Sequence, residues 1–197
     1  MEEEGKGIKL IFLHSLGAGA TNIINVAIGL PFNINEPSTI ANTFVSKIIN
    51  FKGKKYQLDL WDTSGREKFR SLTKIFTRDS KIVIFIYDIT SKNSFNELEY
   101  WIKTAKEVLG DNFISGIIGN KKDLNKEEIS EEEAYKFAKL NKMKLKFVSA
   151  IKDQKGISDF IDELAYDYLS SLNDKELKIY EMVEMNKKNK KSGKKKY

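Results

Sequence analysis

The chain has 197 residues, 41% of them hydrophobic and none of them cysteine, with a formal net charge of +6 at neutral pH. That length and apolar content suit one α/β domain with a full core, and zero cysteines exclude disulfides, thiolate metal sites and a C-terminal prenyl attachment. No stretch approaches a membrane span, and Met1-Glu2-Glu3-Glu4 carries neither a signal-peptide nor a myristoylation pattern, so a cytoplasmic protein is expected. The basicity is local: seven lysines fall between residues 187 and 196, leaving the rest at +6 − 7 = −1. A Lys/Asn/Ser/Gly segment buries too little apolar surface to fold, so the expected organisation is a flexible stretch 1–7, one domain 8–172 and an unfolded basic tail 173–197. That tail is either simply solvated or adheres to an anionic membrane, where each basic residue contributes on the order of 1 kcal/mol. With no basic folded face and no interleaved aromatics, nucleic acid is not an expected partner.

In chain order, the apolar run Ile8 to Leu13 leads into His14-Ser15-Leu16-Gly17-Ala18-Gly19-Ala20-Thr21. The spacing matches a phosphate loop, in which backbone N–H groups cradle phosphates, a lysine reaches the outer phosphates and a hydroxyl holds Mg²⁺. Two defining residues are altered: His14 stands where the first glycine belongs and Ala20 where the lysine belongs. Residues 43–51 and 55–62 read as strands joined by a tight turn at Phe51-Lys52-Gly53-Lys54-Lys55-Tyr56, the one hairpin expected. Further strands are expected at 81–87, 113–119 and 144–149, alternating with helical periodicity at Phe95, Leu98, Trp101, Ile102 and Ala105 and from Ile157 to Leu172. Ser130 followed by Glu133 reads as a capping box opening a helix that runs to about Leu140. This alternation predicts an α/β fold with six strands in a mostly parallel sheet and helices on both faces.

Three later segments supply chemistry. Asp62, at the end of Leu58-Asp59-Leu60-Trp61-Asp62, suits the second acidic element that holds Mg²⁺, and Gly65 leaves its backbone N–H open to a γ-phosphate. Asn120-Lys121-Lys122-Asp123 falls at a strand's carboxyl end, where open α/β sheets bind ligands. A carboxylate at Asp123 accepts from both the ring N–H and the amine of guanine; the same four residues also make an ordinary polar turn. Ser149-Ala150-Ile151 places a backbone N–H within reach of the guanine oxygen.

Taken together, these motifs make the chain resemble the Ras superfamily of small GTPases, and within it the Rab family, over about residues 8–172. Trp61-Asp62-Thr63-Ser64-Gly65-Arg66-Glu67-Lys68-Phe69-Arg70-Ser71-Leu72, Tyr87-Asp88-Ile89-Thr90 and Ser94-Phe95 leading to Trp101-Ile102 carry the resemblance. It implies a phosphate-loop G domain that binds GTP or GDP with Mg²⁺ as a switch in vesicle trafficking. The implied contacts are Leu16 to Asn22 and Gly65 on the phosphates, and Phe32, Asn120, Lys121, Asp123, Ser149, Ala150 and Ile151 around guanine. Thr21, Thr39 and Asp62 would serve the metal, with Thr39-Ile40 in a first switch bracketed by Pro31 and Pro37. Phe44, Trp61 and Phe76 match an aromatic triad read by effectors, although core packing is the competing use. Arg66 stands where the family has the glutamine that orients water, and arginine has no acceptor, so hydrolysis is expected to be slow or absent and no catalytic residue is assigned. His14 is expected near the outer phosphates or the first switch. With Ala20, His14 and Arg66 all altered, the alternative is a pseudo-GTPase, an interaction module with little or no nucleotide binding. Effectors and regulators would be partners in either case, on the cytosolic face of endomembranes.

Overall fold

The computed structural model describes residues 6–39 and 43–182; residues 1–5, Ile40 of the first switch, Val183 and the lysine tail to 197 lie outside the described residues. Six strands form one sheet: β1 (Ile8–His14), β2 (Thr43–Phe51), β3 (Lys54–Asp62), β4 (Ile82–Asp88), β5 (Ile114–Asn120) and β6 (Lys144–Phe147), in the order β2-β3-β1-β4-β5-β6. Only β2 runs antiparallel to its neighbour, through the hairpin at 52–53. Among the described residues seven α-helices accompany the sheet: α1 (Ala20–Ala27), α2 (Arg70–Thr77), α3 (Lys92–Asn96), α4 (Leu98–Leu109), α5 (Glu131–Leu140), α6 (Gln154–Ser171) and α7 (Asp174–Tyr180).

The period-2 rule for strands sorts the core into two layers. Ile8, Leu10 and Phe12 of β1 face one way and pack with Leu58, Leu60, Ile84 and the buried stripes of α1 and α6. Ile11 and Leu13 face the other way, against Val83, Phe85 and the α4 residues Leu98, Trp101 and Ala105. β4, IVIFIYD, is buried along its whole length, as a central parallel strand covered on both faces requires. β1 lies between β3 and β4, so the chain leaves it toward opposite edges. That reversal opens a crevice beyond the carboxyl end of β1, where doubly wound sheets bind ligands.

Ser130 caps α5 by accepting from the Glu133 N–H at 3.1 Å. The Glu133 carboxylate lies 3.7 Å from Lys92 Nζ.

The expected tail does not begin at 173. Asn173 accepts from the N–H groups of Lys175 and Glu176 while Glu176 returns a bond to the Asn173 N–H, a complete capping box that opens α7. Tyr180 is 8% exposed and its hydroxyl meets that of Tyr168 at 3.1 Å. The chain then pairs with the hairpin: Met182 N–H donates to Lys55 O at 2.9 Å and Lys54 Nζ binds Glu181 at 2.7 Å. The boundary fails because composition between 173 and 197 is not uniform, with a caps-and-apolar segment preceding the lysines. Asn173→Ala is expected to cost about 1 kcal/mol, read as a Tm about 2–4 °C lower.

Candidate functional site

The phosphate loop turns between β1 and α1. Gly19, at φ 85, is the N-cap of α1 and sits in the left-handed region. A Cβ there would meet Asn120 Nδ2 at 2.6 Å, so both backbone angle and space call for glycine. The free N–H groups of the first α1 turn face the crevice and favour an anion. Leu16, Gly17, Gly19, Ala20, Thr21 and Asn22 line the cavity, whose volume is about 360 Å³. Ala18 does not; it is 1% exposed in the core, and its carbonyl accepts from Asn120 Nδ2 at 2.9 Å. Asn22 has a further task, its side chain holding both the N–H and the C=O of Asn33 at 2.8 and 2.9 Å, which ties the start of the first-switch loop to α1.

Thr21, Thr39 and Asp62 come together although they lie far apart in sequence. Thr21 Oγ1 donates to Asp62 Oδ2 at 2.7 Å, Thr39 Oγ1 donates to the same oxygen at 3.0 Å, and the two hydroxyls are 2.8 Å apart. Adjacent ligands of one Mg²⁺, each about 2.1 Å from the ion, stand about 3 Å apart, so this oxygen set fits that metal. Asp62 Oδ1 is buried with no hydrogen bond among the described residues, a second mark of a carboxylate built for a cation. Ser64 Oγ donates to Thr39 O at 2.8 Å and holds the first switch against residues 64–77, the segment after β3 that corresponds to the second switch.

His14 lies 5% exposed beside this set, lining the same cavity. Its Nε2 is 2.8 Å from Thr63 O, its Nδ1 3.0 Å from Ser15 O, and Nε2 stands 3.7 Å from Asp62 Oδ1. At that distance the contact with Asp62 has no hydrogen bond and is an ion pair when His14 is protonated. Burial pulls the imidazole pKa down, but the Asp62 carboxylate and the two carbonyls, both of which want a donor, more than offset it and hold the group above its ordinary value. A raised folded-state pKa stabilises the fold fully below the unfolded value of about 6.5 and loses that contribution as pH climbs through the folded value. Unfolding free energy of the Mg²⁺-free protein is expected to fall with rising pH across that window, and His14→Gln to flatten the dependence in urea titrations.

At the far end of the cavity, Asn120 is 2% exposed and joins three segments, donating to Ala18 O and accepting from Ala150 N–H at 3.2 Å. Lys121 lies along the wall with its Nζ 2.7 Å from Asp88 Oδ2, a partner that sequence reading missed. Asp123, half-buried in a 3₁₀ turn, lines the cavity with Phe32, Ala150 and Ile151. Ser149 does not line it. Its hydroxyl accepts from the N–H groups of Ile151 and Lys152, both at 3.2 Å, and so shapes the turn that presents Ala150.

Gly65 packs on the phosphate loop so closely that a Cβ would stand 2.6 Å from the Ser15 carbonyl carbon. Arg66 is not among the cavity-lining residues. The three aromatics form one surface: Phe44 stacks on Trp61 with centroids 5.0 Å apart, and Trp61 meets Phe76 at 6.0 Å. Phe44 is 54% exposed, whereas Trp61 and Phe76 are half-buried and also pack against the core, so core packing accounts for two of the three but not for Phe44.

A sheet of this order, with a phosphate-loop turn at its switch point and an Asn-Lys-x-Asp turn beside it, defines an α/β small-GTPase domain. The model of the Ras family matches residues 9–170. The chain is 36% identical over 158 residues to the Ras-related protein Rab-21 of Geodia cydonium, covering 80% of this chain and 69% of that protein. It is 36% identical over 156 residues to human Rab-21, with 78% and 69% covered, and 34% identical over 144 residues to rat Rab-4B, with 73% and 68% covered. The chain belongs to the Rab family of Ras-related small GTPases.

Proposed function

We propose that this protein is a guanine-nucleotide switch of vesicle traffic that binds GTP and GDP with Mg²⁺ and hydrolyses GTP slowly. The observation that carries this reading is one cavity bounded by the Gly17–Gly19 turn, the Thr21–Thr39–Asp62 oxygen set and the Asn120–Asp123 turn. When bound, Mg²⁺ would neutralise phosphate charge at a loop that has Ala20 where the lysine belongs. The N–H groups of the loop and α1 position the phosphates, Asp123 selects guanine, and Thr21, Thr39 and Asp62 hold the metal. Arg66 lies outside the cavity lining and, having no acceptor, would not orient water as a glutamine does, which supports the reading of slow hydrolysis. Effectors would dock on Phe44, Trp61 and Phe76, and the lysine tail would add contact with anionic lipid at the cytosolic face of endomembranes.

A second reading is favoured by the same oxygen set. Thr39 lies within hydrogen-bond distance of Thr21 and Asp62 and is held by Ser64, so protein contacts fix this end of the first switch. A pseudo-GTPase would use that surface without nucleotide. Isothermal titration of the Mg²⁺-loaded protein with GTP, GDP and ATP separates the two. Guanine-selective binding below about 10 µM, equivalent to roughly 7 kcal/mol, supports the switch. No heat with any nucleotide removes it and leaves the interaction module. A single-turnover assay then measures hydrolysis.

A further inference from the structure

The phosphate loop and the second switch share a carboxylate that neither segment contributes. Glu97 sits at the junction of α3 and α4, where its N–H donates to Asn93 O and its C=O accepts from Trp101 N–H, both at 3.1 Å. Leu98 and Trp101, next to it on α4, are fully buried, so the carboxylate projects from a fixed base. One of its oxygens, Oε2, accepts from Ser15 Oγ at 2.5 Å. The other, Oε1, binds Arg70 Nη2 at 3.0 Å. The Arg70 guanidinium also lies over the rings of Tyr100 at 4.3 Å and Trp101 at 5.6 Å.

Each end of this clasp reaches a part of the molecule that matters. Ser15 is 6% exposed, and its carbonyl accepts from the Ala18 N–H, closing the turn of the phosphate loop, and faces His14 Nδ1. Arg70 opens α2, whose Leu72 and Ile75 are 45% and 54% exposed, apolar side chains that a protein partner would cover. A partner that rotates α2 must stretch the Arg70–Glu97 bond or carry the carboxylate with it, and the same carboxylate restrains Ser15. A charge-assisted hydrogen bond from Ser15 at one oxygen and an ion pair with Arg70 at the other make the link, and the guanidinium, which also lies 3.5 Å from Glu67 Oε1, is held in place over the Tyr100 ring.

We infer that Glu97 is a positioning residue that couples the phosphate loop to the partner-facing second switch through Ser15 and Arg70. Its effect on nucleotide rests on the switch reading above; the mechanical link does not. Coupling of this kind is reciprocal and typically worth fivefold or more in an equilibrium.

Amide hydrogen exchange on the full chain without nucleotide tests the link directly. Arg70→Ala is expected to raise exchange at residues 15–19 by about fivefold with β4 and β5 unchanged, and Ser15→Ala to raise it reciprocally at 67–77. In a Glu97→Ala background, adding Arg70→Ala should do nothing more to residues 15–19. Arg70→Lys, which keeps the charge and loses the fork, serves if the alanine variant fails to fold. A rise confined to 66–77 in the Arg70 variants, or a loop response that persists without Glu97, overturns the inference. As a second arm, release of a fluorescent GDP should quicken by a similar factor in Arg70→Ala, a residue outside the cavity. Failure of the wild type to bind GDP at all would strike the switch reading and leave the exchange test standing.

Discussion

Ala20→Lys is expected to tighten GDP and GTP binding about ten- to a hundredfold. A charge-assisted hydrogen bond is worth about 1.5–3 kcal/mol, and 1.4 kcal/mol is tenfold in affinity. Position 20 is the first residue of α1, lines the cavity beside Thr21 and is preceded by the left-handed Gly19, so the loop that would present the lysine is already formed. The basic side chains at the cavity wall already have partners: Lys121 is bound to Asp88, and His14 faces Asp62 and two carbonyls. A restored ammonium therefore adds charge that the existing groups do not supply to the outer phosphates. Titration calorimetry of the two proteins side by side decides it. Equal affinities would mean that phosphates do not sit over the α1 N-terminus.

Asn120→Ala should reach further, lowering both nucleotide affinity and stability. The side chain is 2% exposed and satisfies a carbonyl in the phosphate loop and an N–H in the Ala150 turn. Removing it strands two buried backbone groups at about 1–3 kcal/mol each, a total on the order of 2–6 kcal/mol. Thermal melting should show a Tm lower by several degrees, at about 2–4 °C per kcal/mol for a domain of this size. Because Asn120 joins three segments that meet only in the folded chain, GDP affinity should fall with it. Asn120→Asp keeps one acceptor and loses the donor, so it should retain the Ala150 contact and lose the Ala18 contact. A variant that melts like wild type and binds GDP equally would break the account of this residue as the brace of the site.

The strands were legible because their patterns are local. β1, β4 and β5 are short apolar runs ending at polar turns, and period 2 together with run length is enough to place them within a residue or two. The phosphate loop, Asp62 and the Asn120–Asp123 turn were equally legible, since fixed spacings of glycine, hydroxyl and carboxylate serve specific chemistry. What local pattern could not carry was the use of each side chain. Ala18 and Ser149 belong to motifs yet turn inward to shape the loops, while Lys121 spends its charge on Asp88. The capping box at Asn173 was present in the sequence as Asn-x-x-Glu, but the lysines beyond it dominated the composition and hid α7.

By itself, the sequence determined the fold class and the places of the strands to within a residue or two, because backbone periodicity and motif spacing are properties of neighbours along the chain. Only the tertiary structure decided that Thr21, Thr39 and Asp62 share one point, that His14 lies between two carbonyls and a carboxylate, and that Glu97 joins Ser15 to Arg70. Apart from that between His14 and its neighbour Ser15, these contacts span from 18 to 82 positions, and their partners are fixed by strand order and helix packing, which hydropathy along the chain does not encode.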